Sequence, residues 1–251
     1  MTVVDVSAFT GAWPSHPVNG RLDQVVESLK KVGVDRVMCS PLDAVWCRNP
    51  HLYNASLYLA CEERPELLAV PIMDPTVDTW LSELDEAVSA DAQAIRVFPN
   101  YHQFDVSGMT PFWDAVSESG LVTIIQTRME DPRRQHPLSV VEDVSVGDIL
   151  ALADRRADIR FILGGARSGE IRAAAPALLE RPNLFADVSQ ADGLDAVKLL
   201  VDEGLVEKLL FGSHSPLFIP EAAVARVVTD LGDEEVKLVL GGNAGKLFRV
   251  K

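Results

Sequence analysis

Eight short apolar runs recur along the chain, at residues 3–6, 34–39, 68–73, 94–98, 121–125, 159–163, 184–188 and 209–211. Each is too short for a helix and is followed at once by polar or turn-forming residues, so each reads as a buried strand with a polar end. Between them the apolar period changes. Leu22, Val25, Val26, Leu29 and Val32 repeat at helical spacing until Gly33 stops them, and Asn49-Pro50 opens a second helix that runs to Arg64. Further helices are predicted over 77–88, 112–119, 146–153, 169–179, around Leu194 to Val201, and over 220–231 and 234–248. Strands that alternate with helices, with no polar-apolar alternation inside them, are buried on both faces in a parallel sheet. Eight such units over 251 residues predict a single-domain α/β fold, the (β/α)8 TIM barrel, spanning 1–251. The competing arrangement is a doubly wound open sheet, and the absence of a glycine-rich dinucleotide fingerprint after the first strand counts against it.

Composition narrows the class of partner. The chain carries 37 acidic and 23 basic side chains, a net charge of −14, which repels phosphate backbones and argues against nucleic acid. No apolar run approaches membrane-spanning length, and the first residues lack the pattern of a secretion signal. Cys39, Cys47 and Cys61 are odd in number and without metal-like spacing, so they read as free thiols in a reducing, cytoplasmic setting. A small molecule is the expected partner, and a homo-oligomer is compatible with the sequence.

If the eight strands form one barrel, the residues at their ends converge on one mouth. Leu209-Leu210-Phe211-Gly212-Ser213-His214-Ser215-Pro216 places His214 and Ser215 there. In the fourth strand Arg96 and Phe98 share one face, so Arg96 points into the barrel, where it must meet a carboxylate such as Asp74, Glu130 or Asp187, or an anionic ligand. Gln126 ends the fifth strand. Asn100, Tyr101 and His102 follow the fourth, and turn chemistry alone would also explain them. The loop from Thr127 to about Val144 is rich in charge, and its Arg128 and Arg133 suit a carboxylate substrate, with a solvated ion-paired loop as the alternative.

Four segments carry a family resemblance. Val4-Asp5-Val6-Ser7-Ala8-Phe9-Thr10-Gly11, Arg96-Val97-Phe98-Pro99-Asn100, Leu210-Phe211-Gly212-Ser213 and Leu240-Gly241-Gly242-Asn243-Ala244 occur in the order, and at the barrel positions, of the amidohydrolase-related family of barrel hydrolases. The first resembles that family's I-D-x-H-x-H-x-G opening and the third its G-[ST]-D-x-P turn. The resemblance implies hydrolysis of an amide, ester or lactone, or decarboxylation in some branches. It also implies a divalent metal, but the family's ligand positions fall here on Ser7, Phe9, Gln126, Gly165 or Ala166, and His214. Phenylalanine cannot coordinate a metal, and serine and glutamine replace imidazole poorly. The expectation is therefore no metal and no cofactor. A relocated site of His102, His136 and His214 with Glu130, Asp131 or Asp187 is the alternative.

The expected function follows from these residues. His214 acts as general base, Arg96 with Gln126 forms the remainder of the catalytic group, and Asn100, Tyr101, His102, Arg128, Arg133 and Ser215 bind a small carboxylate-bearing amide, ester or lactone. The alternative is a catalytically inactive barrel that binds a small anion.

Overall fold

A computed structural model describes residues 1–249. Its eight strands are β1 (Val4–Thr10), β2 (Arg36–Pro41), β3 (Leu67–Ala69), β4 (Ala94–Val97), β5 (Val122–Gln126), β6 (Phe161–Gly164), β7 (Leu184–Asp187) and β8 (Leu209–Leu210). Every paired neighbour is parallel and runs in sequence order. A bridge between Ile72 and Arg96 joins β3 to β4. The ring closes where Val6 N donates to Phe211 O at 2.9 Å and His214 N donates to Ser7 O at 2.8 Å. The architecture is thus a (β/α)8 barrel, as the periodicity predicts.

The helices lie outside the strands. They are α1 (Leu22–Lys31), α2 (Asn54–Glu63), α3 (Trp80–Ser89), α4 (Thr110–Ser119), α5 (Val146–Arg155), α6 (Ser168–Ala173), α7 (Ala175–Glu180), α8 (Ala196–Asp202), α9 (Pro220–Val228), α10 (Asp233–Lys237) and α11 (Asn243–Leu247). Several boundaries depart from the sequence reading for local reasons. The helix expected from residue 77 starts at Trp80, because Asp74 first organises a turn by accepting from Thr76 N and Thr76 Oγ1. The helix expected over 169–179 is two, since Pro176 has no N–H to continue the first ladder. The last helical stretch is interrupted by a π-turn at Leu238–Gly242, where Gly241 runs against the backbone of Thr2 and a Cβ would collide with it. Conversely, β1 runs four residues beyond Val6, because Phe9 and Thr10 pair with Ser40 and Pro41.

Alternation along the strands sorts the side chains into two shells. Ile95, Val97, Ile125, Leu163, Ala186 and Phe211 join the large cluster against the helices. Inside, Val4, Val6, Met38, Val70, Ala94, Ile124, Ile162 and Leu210 fill the N-terminal half of the barrel, and Leu247 and Phe248 close it from below. Phe9, Trp13, Leu42, Ile72, Phe98, Met129 and Leu217 form a third cluster at the other end. Between these two apolar layers sits a polar one.

Gly212 marks how tightly that polar layer is packed. A Cβ there would lie 2.7 Å from the Ser7 Cβ and 3.0 Å from the Ser189 Cβ. Gly212→Ala is expected to cost about 1–3 kcal/mol, the usual penalty of overpacking a close-packed interior. A urea titration with an unchanged midpoint would mean that β1 and β7 yield freely.

Candidate active site

The polar layer consists of Asp5, Ser7, Ser40, Arg96, Gln126, Asp187, Ser189, Ser213 and His214, and all of them are fully buried. Arg96 occupies its centre. Its Nε donates to Ser40 Oγ at 3.1 Å, one terminal nitrogen donates to Val6 O at 3.1 Å, and the other to Gln126 Oε1. Its guanidinium carbon lies 4.6 Å from the centre of the Phe9 ring, a cation–π contact. Among the described residues no carboxylate reaches ion-pairing distance of it. Burial pulls its pKa down to about 10, against the nearby carboxylates of Asp187 and Asp5. It remains charged at neutral pH.

Two carboxylates share the layer. Asp187 accepts from Ser189 N at 2.9 Å and from Gly165 N at 3.2 Å. Burial raises its pKa, and its serine partner and Arg96 oppose the rise. Asp5 accepts from Ser7 N at 2.9 Å and Ser213 N at 3.0 Å through one oxygen. Burial lifts its pKa to about 6 against those hydrogen bonds.

His214 sits at the end of β8 with its backbone in the left-handed region, φ +56°. This sparsely populated conformation for a non-glycine residue holds the ring over the layer. Its Nε2 lies 2.7 Å from the carbonyl of Met129 and 3.2 Å from the Gln190 amide nitrogen. A carbonyl only accepts, so Nε2 carries the proton and Nδ1 the lone pair. The ring packs edge-on to Phe9 at 5.1 Å and tilted against Phe218 at 4.9 Å. Burial pulls the pKa down to about 3, with the Met129 bond opposing and Arg96 adding to the fall.

Three buried polar atoms here have no hydrogen-bond partner among the described residues: Asp5 Oδ2, Ser7 Oγ and His214 Nδ1. They belong to residues already linked, since Asp5 holds Ser7 N and Ser7 O holds His214 N. Unsatisfied buried groups on neighbouring residues are where water or a ligand group is accommodated.

The layer is covered from above. Gln126 Nε2 donates to Arg128 O, and the chain continues through Met129, whose carbonyl faces His214. Glu130 then accepts from Ser15 Oγ at 2.7 Å and faces His16 at 3.5 Å, tying this loop to the one after β1.

The other residues singled out in the sequence are spread around the rim rather than gathered at Arg96. Arg128 is buried but engaged, with Asp143 at 2.9 Å and both oxygens of Glu170. Burial works against its charge, yet these two carboxylates outweigh it and raise its pKa. Arg133 forks onto Asp131, its side chain 89% exposed, so it faces solvent and not the mouth. Asn100 donates to Glu142 O at 2.9 Å. Tyr101 and His102 line a separate cleft of about 280 Å3 with Trp46, Arg48 and Asp74. Ser215 is buried, and its carbonyl accepts from Phe9 N. Arg96 is not paired with Asp74, Glu130 or Asp187: its side chain is held by neutral acceptors. His102 faces Asp74 at 3.9 Å, His136 is exposed on the loop after β5, and His214 faces Met129, so the three histidines are not brought together.

Of the positions that the resemblance assigns to metal ligands, Phe9 offers no donor atom, and the Arg96 guanidinium stands beside it. Among the described residues no group of three His, Cys, Asp or Glu side chains converges as a metal site would.

Asp5, Gln190 and Phe218 were not singled out by sequence reasoning. An aspartate inside the apolar run at 3–6 was a signal, because a buried carboxylate needs donors. Gln190 and Phe218 follow strand ends in the same way as the chosen residues, but nothing in the sequence says that both touch His214.

A polar layer at the C-terminal ends of the strands of a (β/α)8 barrel is the place where enzymes of this architecture carry their sites. The Amidohydrolase family model matches residues 41–250, and the chain belongs to that family. No curated protein matches by sequence. Among solved structures, a 5-carboxyvanillate decarboxylase from Sphingomonas paucimobilis superposes with TM-score 0.74 at 12% identity, over 100% of this chain and 99% of the other. A dihydroxybenzoic acid decarboxylase from Polaromonas, with bound manganese and the inhibitor 2-nitroresorcinol, gives 0.73 at 15%, over 99% and 97%. A probable 2-pyrone-4,6-dicarboxylic acid hydrolase from Acinetobacter baumannii, with citric acid bound, gives 0.68 at 13%, over 99% and 100%. Identities this low speak to the fold.

Proposed function

We propose that the protein is a hydrolase acting on a small carboxylate-bearing amide, ester or lactone, with the Arg96 guanidinium in place of a divalent metal as its cationic element. The observation that carries this reading is Arg96 itself. A buried charge is normally paired, yet this guanidinium meets only neutral oxygens and a phenyl ring. An anionic group arriving in the layer would complete it. The names of the structural relatives, two decarboxylases of aromatic acids and a dicarboxylic acid hydrolase, agree with a carboxylate substrate.

In hydrolysis, water adds its oxygen to the acyl carbon, and the bond to the leaving amine or alkoxide breaks. His214 Nδ1 is the base with a free lone pair; it takes the proton from water and returns it to the leaving group. Arg96 stabilises the oxygen that becomes negative. Gln126 holds Arg96 in place. Because the layer is covered, substrate reaches it only when the cover over His214, made by the Met129 segment with Gln190 and Phe218, opens.

A panel of esters, lactones and amides bearing a carboxylate tests the reading. Wild type is expected to turn over at least one, and Arg96→Met to lose roughly 10²–10³-fold in kcat, the scale of losing an oxyanion donor. With the His214 pKa at about 3, its lone pair is available throughout the neutral range, so His214 imposes no rise in activity between pH 5 and 8. Turnover that survives both Arg96→Met and His214→Asn would place the chemistry elsewhere. Elemental analysis returning one retained equivalent of zinc, iron or manganese would overturn the metal-free part.

A second reading rests on a specific observation: the layer is wholly buried and its histidine is a very weak base. These features suit a barrel that holds a small anion without transforming it. Ligand binding that depends on Arg96, with no turnover in the same panel, would select it.

A further inference from the structure

One cavity opens directly onto the cover of His214. It has a volume of about 190 Å3 and is lined by Asp131, Arg167, Gln190, Asp192, Phe218 and Arg226. Gln190 and Phe218 are both in contact with the His214 ring, one through its amide and the other through its phenyl group. The cavity and the polar layer are therefore separated by two side chains.

The charges around it are unequal in what they have left to offer. Asp131 already receives the fork of Arg133, and Asp192 accepts from Ser168 Oγ. Arg167 has Asp143 at 3.9 Å as its ion-pair partner among the described residues, with the carboxylates of Asp131 and Glu170 also within its field. Arg226, half-buried on α9, donates one terminal nitrogen to the carbonyls of Val188 and Ser189, at 3.2 and 3.3 Å. These carbonyls lie just past the end of β7. No carboxylate among the described residues reaches ion-pairing distance of Arg226. Two guanidinium groups, neither in a close ion pair, thus face one small cavity beside Asp192, whose charge favours the charged form of Arg226, in a chain of net charge −14.

We infer that this cavity is the anion-selective vestibule of the site, in which Arg226, supported by Arg167, receives a small organic anion before Gln190 and Phe218 admit it to His214. Under the proposed function the anion is the substrate's carboxylate, and the inference rests on that reading only for this identity. The selection itself is a property of the vestibule. A carboxylate suits it because a guanidinium presents paired donors to two oxygens, and a half-buried cation is screened less than one in open water.

Charge-selective thiol labelling tests this without any substrate, so its failure is separable from a failure of the hydrolase reading. Phe218→Cys is placed in a Cys47→Ser, Cys61→Ser background and treated with two methanethiosulfonates of similar size, one bearing a sulfonate and one a trimethylammonium group. The sulfonate reagent is expected to label Cys faster, against the negative charge of the whole chain. Adding Arg226→Gln is expected to lower the anion-to-cation rate ratio roughly 10-fold, the low end of electrostatic focusing in a cleft, and Arg226→Lys to retain most of it. If the Phe218 variant does not fold, Gln190→Cys probes the same cavity. A faster cationic reagent, or a ratio that Arg226→Gln leaves unmoved, would overturn the inference.

Discussion

Arg96→Met is expected to lower the free energy of unfolding by about 1–3 kcal/mol for each buried acceptor left without its donor. Methionine keeps much of the volume but no donor. Gln126 Oε1, Ser40 Oγ and Val6 O each lose a hydrogen bond. Asp187 loses the cation that opposes the burial-driven rise of its pKa. The sign with pH follows. A carboxylate whose folded pKa lies above its unfolded value of 3.8 costs stability as pH rises through the folded pKa. Removing Arg96 raises the Asp187 pKa further, so the deficit of Arg96→Met should widen as pH climbs beyond the wild-type folded pKa of Asp187. The double variant Arg96→Met, Asp187→Asn should recover part of the loss. Urea titrations at several pH values measure all three. A deficit that does not change with pH would mean that Arg96 and Asp187 do not interact.

The second large effect is the response of stability to acid, and His214 dominates it. Its folded pKa of about 3 lies below the ordinary 6.5 because burial disfavours the imidazolium. Between those values the unfolded chain binds a proton that the folded chain does not, so stability falls as pH drops through that window. The interval corresponds to on the order of 4–5 kcal/mol. His51, pulled down to about 4 by burial, acts in the same direction. Asp5 opposes both. Burial raises its pKa from 3.8 to about 6, so its folded form gains a proton first on acidification, and stability rises as pH falls across that range. His214→Asn removes one contribution and leaves the other two. Relative to the variant, wild type should lose about 3 kcal/mol between pH 7 and pH 4. Parallel stability curves for the two proteins would show that the ring is accessible to protons in the folded state.

These effects act at residues that the sequence singled out for their position rather than their surroundings. His214, Arg96 and Gln126 each lie in or just past a predicted strand, and the barrel brings all three into one buried layer. Asn100, Tyr101 and His102, which follow a strand, and Arg128 and Arg133, which the charge of their loop singles out, are dispersed around the rim. A strand end fixes where a loop begins, but not where it goes. The loop after β5 folds back on itself, so Arg128 spends its guanidinium on Glu170 and Asp143, while Arg133 turns to solvent.

What the sequence determined by itself is the repetition: short runs of one period separated by longer runs of another. That pattern compels helices outside a parallel sheet, because a strand apolar on both faces must be covered on both. The resemblance to the amidohydrolase family is legible for a related reason, since three of its four motifs sit at strand ends whose spacing the barrel dictates. Only the tertiary structure decided which polar groups share the interior and which of them remain unpaired. Pairing depends on distances of a few ångströms between residues far apart in the chain, such as Arg96 with Val6, His214 with Met129, or Asp5 with Ser213. No period along the chain encodes those distances. The pKa of His214 is the sharpest case: a histidine after a strand reads as a base with a pKa near neutrality, and complete burial between two phenyl rings lowers that pKa to about 3, so the ring stays neutral with Nε2 donating and Nδ1 unprotonated.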